Sequence, residues 1–566
     1  MSISRKGAFV LNKAVMKTFA IKARKKLIDE ILDRIQMFSL DSKTETPNLL
    51  SKDPVKQECF LQLQRQIEEA DVLSVAEQAA CVWFHRLVSI WFMEVNEYLP
   101  TEPFFSRFSP NGFKKDDVDA DTLEEQEEMQ YWKTYGYTEQ EVAAQILFMR
   151  VCRQLGHIFP QLFSCYPQPF DFLIPQFHVD SIIYEFLSLP KEDFVLSQGG
   201  QAEMIGWLYQ YFHTERKEET FALLQKNIKI TKERIPAATQ LFTPDWIVRY
   251  MVENSVGKLW LEQHPNAELE KKWTYYLKSN NTLNQETRSI ELRPQDITVL
   301  DPCMGSGHIL VYAFDILMDI YGAVGYTKKE AAGQIIAHNL YGLEIDDSVS
   351  ELAHFVIMMK ARFYDETILE QSRCIHVCSI QESNEITDNL RQEIWQQFSI
   401  LEEEERLAID FVIDMFRDAK TYGSCLQMTQ RFQPNFYEKT AHRLREIITD
   451  STFDFNLEQW AIINQWFPLL IALLEQAALL TRTYLVTITN PPYMGKKSLN
   501  KKISTFLEAN YPNGKSELYA AFILRCKAFT KEFGYFSMVT MHTWLFLTSF
   551  QKLRLEILKH NHIESM

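Results

Sequence analysis

The stretch VTITNPPYMG, residues 486–495, places polar and rigid side chains directly after a run of strand-forming residues. Residues 486–488 favour a buried strand, whereas Pro491 and Pro492 cannot continue a ladder of backbone hydrogen bonds. The strand must therefore stop here and present Asn490 at its carboxyl end. Open α/β sheets bind their ligands at this end of their strands, so the stretch is a candidate site.

The chemistry that these residue types suit is activation of an amino group on a nucleic-acid base. Such an amine is a poor nucleophile because its lone pair is delocalised into the ring. The side-chain oxygen of Asn490 and the main-chain carbonyl of Pro491 can accept its two hydrogens and localise that pair without a general base. Proline fixes φ at about −65°, which aims the acceptors in advance, and Tyr493 can stack on a base held outside the duplex. The alternative is an ordinary strand-to-turn junction with a buried tyrosine.

A second candidate site lies in DPCMGSG, residues 301–307, where Asp301 closes a predicted strand and a helical pattern follows. Gly305 and Gly307 permit a tight turn and close approach of the backbone to a ligand at the positive end of that helix. A glycine pair of this kind occurs in many nucleotide sites and many ordinary turns. In YGLEIDD, however, Glu344 ends the neighbouring predicted strand, where a carboxylate can accept both hydroxyls of a ribose. The loop lacks GxGxxG, so we expect an adenosine ligand without a diphosphate, such as S-adenosylmethionine.

Five apolar segments that alternate with helical patterns must position these two sites. They are ITVL, LYGLEI, CIHVCSI, YLVTI and GYFSMVT, and this alternation predicts a doubly wound α/β fold with a parallel sheet and right-handed crossovers. The interval from about 384 to 480 is helix-rich and too long for a loop, so we interpret it as an insertion in the sheet. Helical patterns dominate before residue 236 and include an amphipathic helix over 17–37. The predicted organisation is a helical amino-terminal domain, 1–235, and an α/β domain, 236–566.

Composition indicates a soluble globular chain of more than one domain, with 566 residues, 46% hydrophobic, 24% charged and a formal charge of −16. This net charge argues against a protein that coats nucleic acid by bulk positive charge, although basic residues cluster at 17–26 and 496–502. Nine scattered cysteines are typical of reduced cytosolic thiols and no secretory signal is apparent, so we expect a cytoplasmic protein. The apolar stretch from Phe467 is interrupted by Glu475 and Gln476 and is interpreted as a packed helix, with no membrane span expected.

A possible metal site is suggested by CIHVC, in which Cys374 and Cys378 flank His376. Structural metal sites need a second pair of ligands at suitable spacing, and no such pair accompanies this one. We therefore expect no metal.

The order of five motifs connects the two candidate sites to a known family. The motifs are FTPDWIVRYM, DPCMGSGHIL, YGLEID, TNPPY and GYFSMVTMHTWL, and they resemble those of amino-adenine DNA methyltransferases whose target-recognition domain follows the catalytic domain. The phrases WFHRLVSIWFMEVNEYLP and IPAATQLFTPDWIVRYMVENSVGKLWLE resemble PglX-type methyltransferases of BREX phage-exclusion systems. The resemblance implies a Rossmann-like, S-adenosylmethionine-dependent domain that methylates the N6 amine of a flipped adenine in double-stranded DNA. It also implies other phage-defence proteins as partners.

The resemblance further implies roles for particular residues. Thr243 and Pro244 would lie near the methionine part of the cofactor, and Glu344 would bind its ribose. The implied cofactor-binding set is Thr243, Pro244, Asp301, Pro302, Gly305, Gly307, Glu344, Ile345, Ser379 and Ile380. The residues implied to hold the target adenine are Asn490, Pro491, Pro492 and Tyr493.

The sequence departs from the family pattern in two places. The family often has an aspartate at the end of the third strand to hold the cofactor adenine, whereas Ser379 and Ile380 occupy that place here. The sequence also ends at Met566, soon after the fifth predicted strand, where the family has two more strands and a recognition domain. The second departure predicts a fragment or a truncated gene product.

Three alternatives to a DNA adenine methyltransferase therefore stay open. The first is a non-catalytic subunit that binds cofactor, DNA or partner proteins. The second is methylation of a glutamine side-chain amide in translation release factors, since NPPY occurs in those enzymes too. The third is a fused nuclease, although no cluster of paired carboxylates with a lysine is apparent before residue 236.

Overall fold

The computed structural model describes most of the chain. The described residues are 13–40, 54–110, 112–114, 118, 122–134, 136–164, 168–178, 180–225, 243–278, 291–371, 375–398, 400–429, 431–450, 455–496 and 498–566. Two compact units are present, Met1–Glu215 and Arg216–Met566. The domain boundary predicted at 235/236 lies outside the described residues.

The first unit is mainly helical. Its helices are Lys13–Met37, Pro54–Glu69, Val72–Val95, Leu123–Thr134, Glu139–Gly156, Pro160–Phe163, Ile182–Leu187 and Met204–Phe212, and Thr214–Gln225 follows them. Its core is rich in aromatic rings, such as the stacked pair Phe84 and Phe212, whose centroids lie 4.3 Å apart. Two short antiparallel strands, Phe108–Ser109 and Gly112–Phe113, were not predicted from the sequence.

The second unit contains a five-stranded sheet in which every pairing is parallel. The strands are β1 Val299–Asp301, β2 Leu340–Glu344, β3 His376–Ser379, β4 Tyr484–Thr489 and β5 Thr530–Met538. Their order across the sheet is β3-β2-β1-β4-β5. The five strands and their parallel arrangement confirm the α/β prediction. The three central strands, β1, β2 and β4, are buried along nearly their whole length, as expected for a parallel sheet that is covered on both faces.

Helices cover both faces of this sheet. The helices of the unit are Asp245–Val252, Lys258–Leu261, Ala267–Lys272, His308–Ala323, Lys328–His338, Asp347–Arg362, Asp388–Gln397, Glu403–Met415, Ala419–Tyr422, Pro434–Thr449, Leu457–Thr481, Lys501–Asn510, Leu518–Phe529 and Gln551–His560. A one-turn π-helix, Glu253–Gly257, joins the first two. Leu300 and Leu343 pack into the same core as Leu457–Thr481, whereas Gly342 faces Leu310 in the helix His308–Ala323.

The helix Leu457–Thr481 contains the apolar stretch noted in the sequence. By length and composition alone it is apolar enough to cross a membrane. Its buried residues, however, form one hydrophobic core with side chains of β1, β2 and β4. The structure thus agrees with its interpretation as a packed helix.

Candidate cofactor and base site

The predicted site residues meet at the edge of the sheet where the parallel strands end. In the strand register, Asp301 lies opposite Gly342, and Leu300 lies opposite Thr487. The loops that follow β1, β2 and β4 therefore begin at the same edge of the sheet. Glu344 lies two residues after Gly342, and Asn490 lies three residues after Thr487. This edge is where open α/β sheets bind ligands.

Asp301 is a fully buried carboxylate at the end of β1. Its Oδ1 accepts hydrogen bonds from the Thr489 hydroxyl at 2.7 Å and from the Cys303 backbone N–H at 3.0 Å. Its Oδ2 is buried with no hydrogen-bond partner among the described residues. Burial raises the pKa of Asp301 to about 7, because desolvation disfavours the charged form more than the two hydrogen bonds favour it.

The glycines of the loop adopt backbone conformations that other residues rarely reach. Gly305 has φ +52° and Gly307 has φ +80°. A Cβ added at Gly305 would meet no atom within 4 Å, so this side of the loop is open, whereas one at Gly307 would lie 3.1 Å from the Ala353 Cβ. Gly307 is directly followed by the helix His308–Ala323, whose first backbone N–H groups have no partner within the helix. The predicted tight turn is therefore present, with open space beside Gly305.

Glu344 ties the glycine loop to the end of β2. Its Oε2 accepts from the Gly305 N–H at 2.9 Å, and its Oε1 accepts from the N–H groups of Ile345 at 2.9 Å and Asp346 at 3.3 Å. Burial is the main cause that raises the pKa of Glu344 to about 7, and the charge of Asp346 adds to it. Three backbone donors thus fix this carboxylate in place beside the open side of the loop.

The residues after β4 form a second hydrogen-bonded group. Asn490 donates from Nδ2 to the Thr243 hydroxyl oxygen at 3.0 Å. Its Oδ1 accepts from the Tyr493 hydroxyl at 2.7 Å, and that hydroxyl also lies 2.9 Å from the Val539 carbonyl oxygen. Thr243 is almost fully buried, so water does not compete for this contact. The structure therefore brings Thr243, Asn490 and Tyr493 together, and Thr489 joins this group to Asp301.

The prolines differ in their surroundings. Pro491 is buried and Pro492 is half-buried in the turn after Asn490. Pro302 is buried, and its carbonyl oxygen accepts from the Ser424 hydroxyl at 2.5 Å. Pro244 is exposed and immediately precedes the helix Asp245–Val252.

The end of β3 is arranged differently from the prediction. Ser379 pairs with Glu344 in the sheet, and its hydroxyl oxygen accepts from Gln381 Nε2 at 2.6 Å. The N–H of Ile380 donates to the Glu344 carbonyl at 2.7 Å, and the Ile380 side chain is buried in the hydrophobic core. The structure thus brings Ser379 to the edge but places the Ile380 side chain inside the protein. Gln381, which also donates to Asp347 at 2.7 Å, occupies the adjoining position.

Sequence reasoning missed several residues at this edge. Thr489, Gly423, Ser424 and Gln476 contact the predicted loops, and three of them come from the helical segment between β3 and β4. The only local signals were a polar residue in an apolar helix and a glycine in TYGSC. Cys374 lies outside the described residues, which contain no group of three or more His, Cys, Asp or Glu side chains placed to hold a metal ion.

A parallel sheet with a glycine loop, an acidic strand end and an NPPY turn at one edge fits a methyltransferase domain. Residues 338–566 match the family model of the Eco57I restriction-modification methylase. The chain is 31% identical over 596 aligned positions to the adenine-specific methyltransferase PglX of Lacticaseibacillus casei (strain Zhang), which covers 96% of this chain and 48% of PglX. It is 30% identical over 532 positions to the adenine-specific methyltransferase BrxX of Escherichia coli O9:H4 (strain HS), which covers 87% of this chain and 42% of BrxX.

These similarities confirm the resemblance to PglX-type adenine-specific methyltransferases that the motifs indicated. The chain spans about half the length of the curated relatives that it matches. Among solved structures, a DrdV–DNA complex aligns with 97% of this chain and 38% of its own at 12% identity, with a TM-score of 0.39. That likeness is too weak to carry an argument.

Proposed function

We propose that this chain is the cofactor-binding and base-binding part of an S-adenosylmethionine-dependent methyltransferase that acts on the N6 amine of adenine in double-stranded DNA. The observation that carries the proposal is the position of Asn490. Its amide lies at the end of β4, joined through Thr489 and Asp301 to the glycine loop. The similarity to the adenine-specific methyltransferases PglX and BrxX supports adenine as the target. Phage defence in the cytoplasm, with other defence proteins as partners, belongs to the proposal through the resemblance of the motifs to BREX methyltransferases.

The residues of the glycine loop fit S-adenosylmethionine. The open side of Gly305 offers room for a ligand next to the Glu344 carboxylate, which suits ribose hydroxyls. The Asp301 Oδ2 atom is a buried acceptor without a donor among the described residues, and it suits an ammonium group once the loop admits one. In a Rossmann-like domain of this kind, the bound cofactor supplies an electrophilic methyl group. Asp301, Gly305 and Glu344 would hold the cofactor.

Asn490 would act on the target base through its acceptor oxygen. Its Nδ2 is already used by Thr243, which leaves Oδ1 directed to the Tyr493 hydroxyl. A target amine that enters the site would take the place of this hydroxyl at the Asn490 oxygen. The Tyr493 hydroxyl could then donate its hydrogen bond to the Val539 carbonyl alone. The Asn490 oxygen and the Pro491 carbonyl would then accept hydrogen bonds from the two amine hydrogens, which localises the lone pair for attack on the methyl group. As the N–C bond forms, the bond from the methyl group to sulfur would break with its electron pair left on sulfur, and the methylated amine would release one proton to water. The Tyr493 ring would stack on the flipped adenine.

The test is transfer of labelled methyl from S-adenosylmethionine to unmethylated genomic DNA, with the labelled nucleoside identified after digestion. Wild-type chain should yield N6-methyladenine. Asn490→Ala should lower the transfer rate by about 100- to 1000-fold, the usual effect of removing one group that stabilises charge in a transition state, while binding of the cofactor persists. Asn500→Ala is the matched control, because Asn500 only caps the helix Lys501–Asn510 through the Ile503 N–H.

The other outcomes separate the rival functions. Equal rates for wild type and Asn490→Ala would reject the assignment of this site. Label on a release factor and none on DNA would reject the substrate. A second candidate function is cofactor binding without methyl transfer, and it rests on the greater length of the relatives. Cofactor binding by this chain, together with methyl transfer only by a protein of the relatives' full length, would support this second function.

A further inference from the structure

The helical segment between β3 and β4 contacts the glycine loop through Ser424. This serine is almost fully buried, and its hydroxyl donates to the Pro302 carbonyl at 2.5 Å. Pro302 directly follows Asp301, so the contact fixes the backbone at the first turn of the loop. A serine that contacts a loop 122 positions away in the sequence is held there by tertiary structure alone.

The turn that carries Ser424 is itself firmly anchored. The buried guanidinium of Arg525 donates to the carbonyls of Ser424 at 2.9 Å and Leu480 at 3.0 Å. The Tyr511 hydroxyl donates to the Cys425 carbonyl at 2.6 Å. Arg525 lies in the helix Leu518–Phe529, and Tyr511 directly follows the helix Lys501–Asn510. Because two separate segments supply these donors, the turn has a fixed position relative to the sheet.

The same turn also packs against the loop that follows β2. Gly423 has φ +56° and ψ −149°, a conformation that is almost restricted to glycine. A Cβ added there would lie 2.9 Å from Ile345 Cγ2, so the backbone of the turn lies directly against this side chain. Ile345 stands next to the Glu344 carboxylate. The turn therefore meets both loops that the proposed function assigns to the cofactor.

A second point of contact lies in the helix Leu457–Thr481. Gln476 is fully buried, and its Oε1 accepts from the Gln381 N–H at 2.6 Å while its Nε2 donates to the Gln381 carbonyl at 3.0 Å. One side chain thus satisfies both backbone groups of a residue in the loop after β3. Gln381 in turn holds Ser379 and Asp347 through its own amide. Gln476 therefore fixes the loop at the third strand end, where the sequence has no aspartate.

We infer that the helical segment between β3 and β4 positions the cofactor loops, with Ser424 and Gln476 as its positioning residues. The inference rests on the proposed function, because it concerns the affinity for S-adenosylmethionine. Neither side chain needs to touch the cofactor. Each satisfies polar backbone groups that would otherwise be buried without partners or drawn towards another conformation, so the loops are already in place when the cofactor arrives.

The experiment measures the dissociation constant of S-adenosylmethionine by titration calorimetry on the full 566-residue chain. Ser424→Ala loses one hydrogen bond and should raise the dissociation constant by about fivefold, whereas Gln476→Met loses two and should raise it by about 25-fold. In the double variant the two effects should multiply, because the contacts lie in different loops. Ser424→Thr keeps the hydroxyl and should restore tight binding. Where transfer is measured, the rate at saturating cofactor should change by less than about twofold, since only binding is affected.

Thr440→Val is the control for general loosening. Thr440 is a buried hydroxyl of the same helical segment, but it donates to Phe436 in its own helix at 2.9 Å. The Thr440→Val variant should lower the melting temperature as Ser424→Ala does, and it should leave the dissociation constant of S-adenosylmethionine unchanged. An unchanged dissociation constant in both Ser424→Ala and Gln476→Met, or an equal rise in Thr440→Val, would overturn the inference alone. A wild-type chain that binds no S-adenosylmethionine would overturn the proposed function together with it.

Discussion

The contact between Asn490 and Thr243 gives the sharpest prediction about the base site. Thr243→Val removes the hydroxyl that accepts from Asn490 Nδ2 at 3.0 Å and keeps the β-branched shape of the side chain. Because Thr243 is only 1% exposed, water is not placed to replace the lost acceptor. The amide of Asn490 would then lose the contact that directs its nitrogen away from the base and its oxygen towards it.

The size of the effect follows from this single contact. A net contribution of about 1 kcal/mol for a neutral hydrogen bond corresponds to a roughly fivefold slower transfer of methyl. Asn490→Ala removes the acceptor itself and should cost about 100- to 1000-fold. We therefore expect Thr243→Val to lie between wild type and Asn490→Ala, with Thr243→Ser close to wild type.

The assay is single-turnover transfer of labelled methyl to DNA, with cofactor affinity measured in parallel. Thr487→Val is the matched control, because this buried threonine of β4 accepts from the Thr530 hydroxyl at 3.0 Å and does not contact Asn490. Thr243→Val should add nothing to Asn490→Ala in the double variant if it acts through that amide. A wild-type rate, or the same fivefold loss in the Asn490→Ala background, would refute the reasoning. A loss confined to cofactor affinity would instead support the placement of Thr243 at the methionine part.

Four further predictions address the cofactor loop and the tyrosine. The dissociation constant of S-adenosylmethionine should fall as the pH rises from 6 to 8, because Asp301 and Glu344 have pKa values of about 7 and bind the cofactor as carboxylates. Calorimetry at each pH tests this prediction. An Asp301→Asn variant that keeps the full pH dependence would contradict it. Without cofactor, the raised pKa values of Asp301 and Glu344 favour the folded state at low pH, so the contribution of Asp301 to the free energy of unfolding should decrease from about pH 4 to pH 7. Denaturant titrations of wild type and Asp301→Asn at each pH measure this contribution as their difference. Tyr493→Phe keeps the stacking ring and frees the Asn490 acceptor, so its transfer rate should stay within about threefold of wild type, the effect of one hydrogen bond, whereas a 100-fold loss would show that the hydroxyl takes part in transfer. Gly307→Ala should destabilise the unit by about 1–2 kcal/mol for its positive φ, plus the contact with Ala353, and therefore by more than Gly325→Ala, where φ is +93° but no atom lies within 4 Å; equal losses in denaturant titrations would contradict this.

The strands and the tight turn could be predicted because their signals are local. Each strand is a short apolar run bounded by glycine, proline or charged residues, and the parallel sheet follows from the alternation with helices. Gly305 and Gly307 were assigned to a turn because of their spacing, and both have positive φ. The short strands at Phe108–Ser109 and Gly112–Phe113 were missed, since two residues carry no periodic signal.

The contacts within the site could not be predicted, because they join residues far apart in the sequence. Asn490 meets Thr243 across 247 positions, and Ser424 meets Pro302 across 122. A single sequence shows which residues are polar but not which backbone groups they will satisfy. Ile380 illustrates this: the family resemblance implies a role in cofactor binding, but the sequence does not show that its side chain packs in the hydrophobic core together with that of Cys378.

The order of the strands explains why the helical segment can reach the cofactor loops. The chain moves outward from β1 to β2 and β3, and then returns past β1 to form β4 on its other side. Because β1 and β4 are paired neighbours in the sheet, Asp301 at the end of β1 lies close to Thr489 at the end of β4 across 188 positions. The return from β3 to β4 has to cross this part of the sheet, and the helical segment lies within that return. Ser424 and Gln476 therefore meet the loops because of the topology, and a short linker in place of the segment would keep the strand order but remove both contacts.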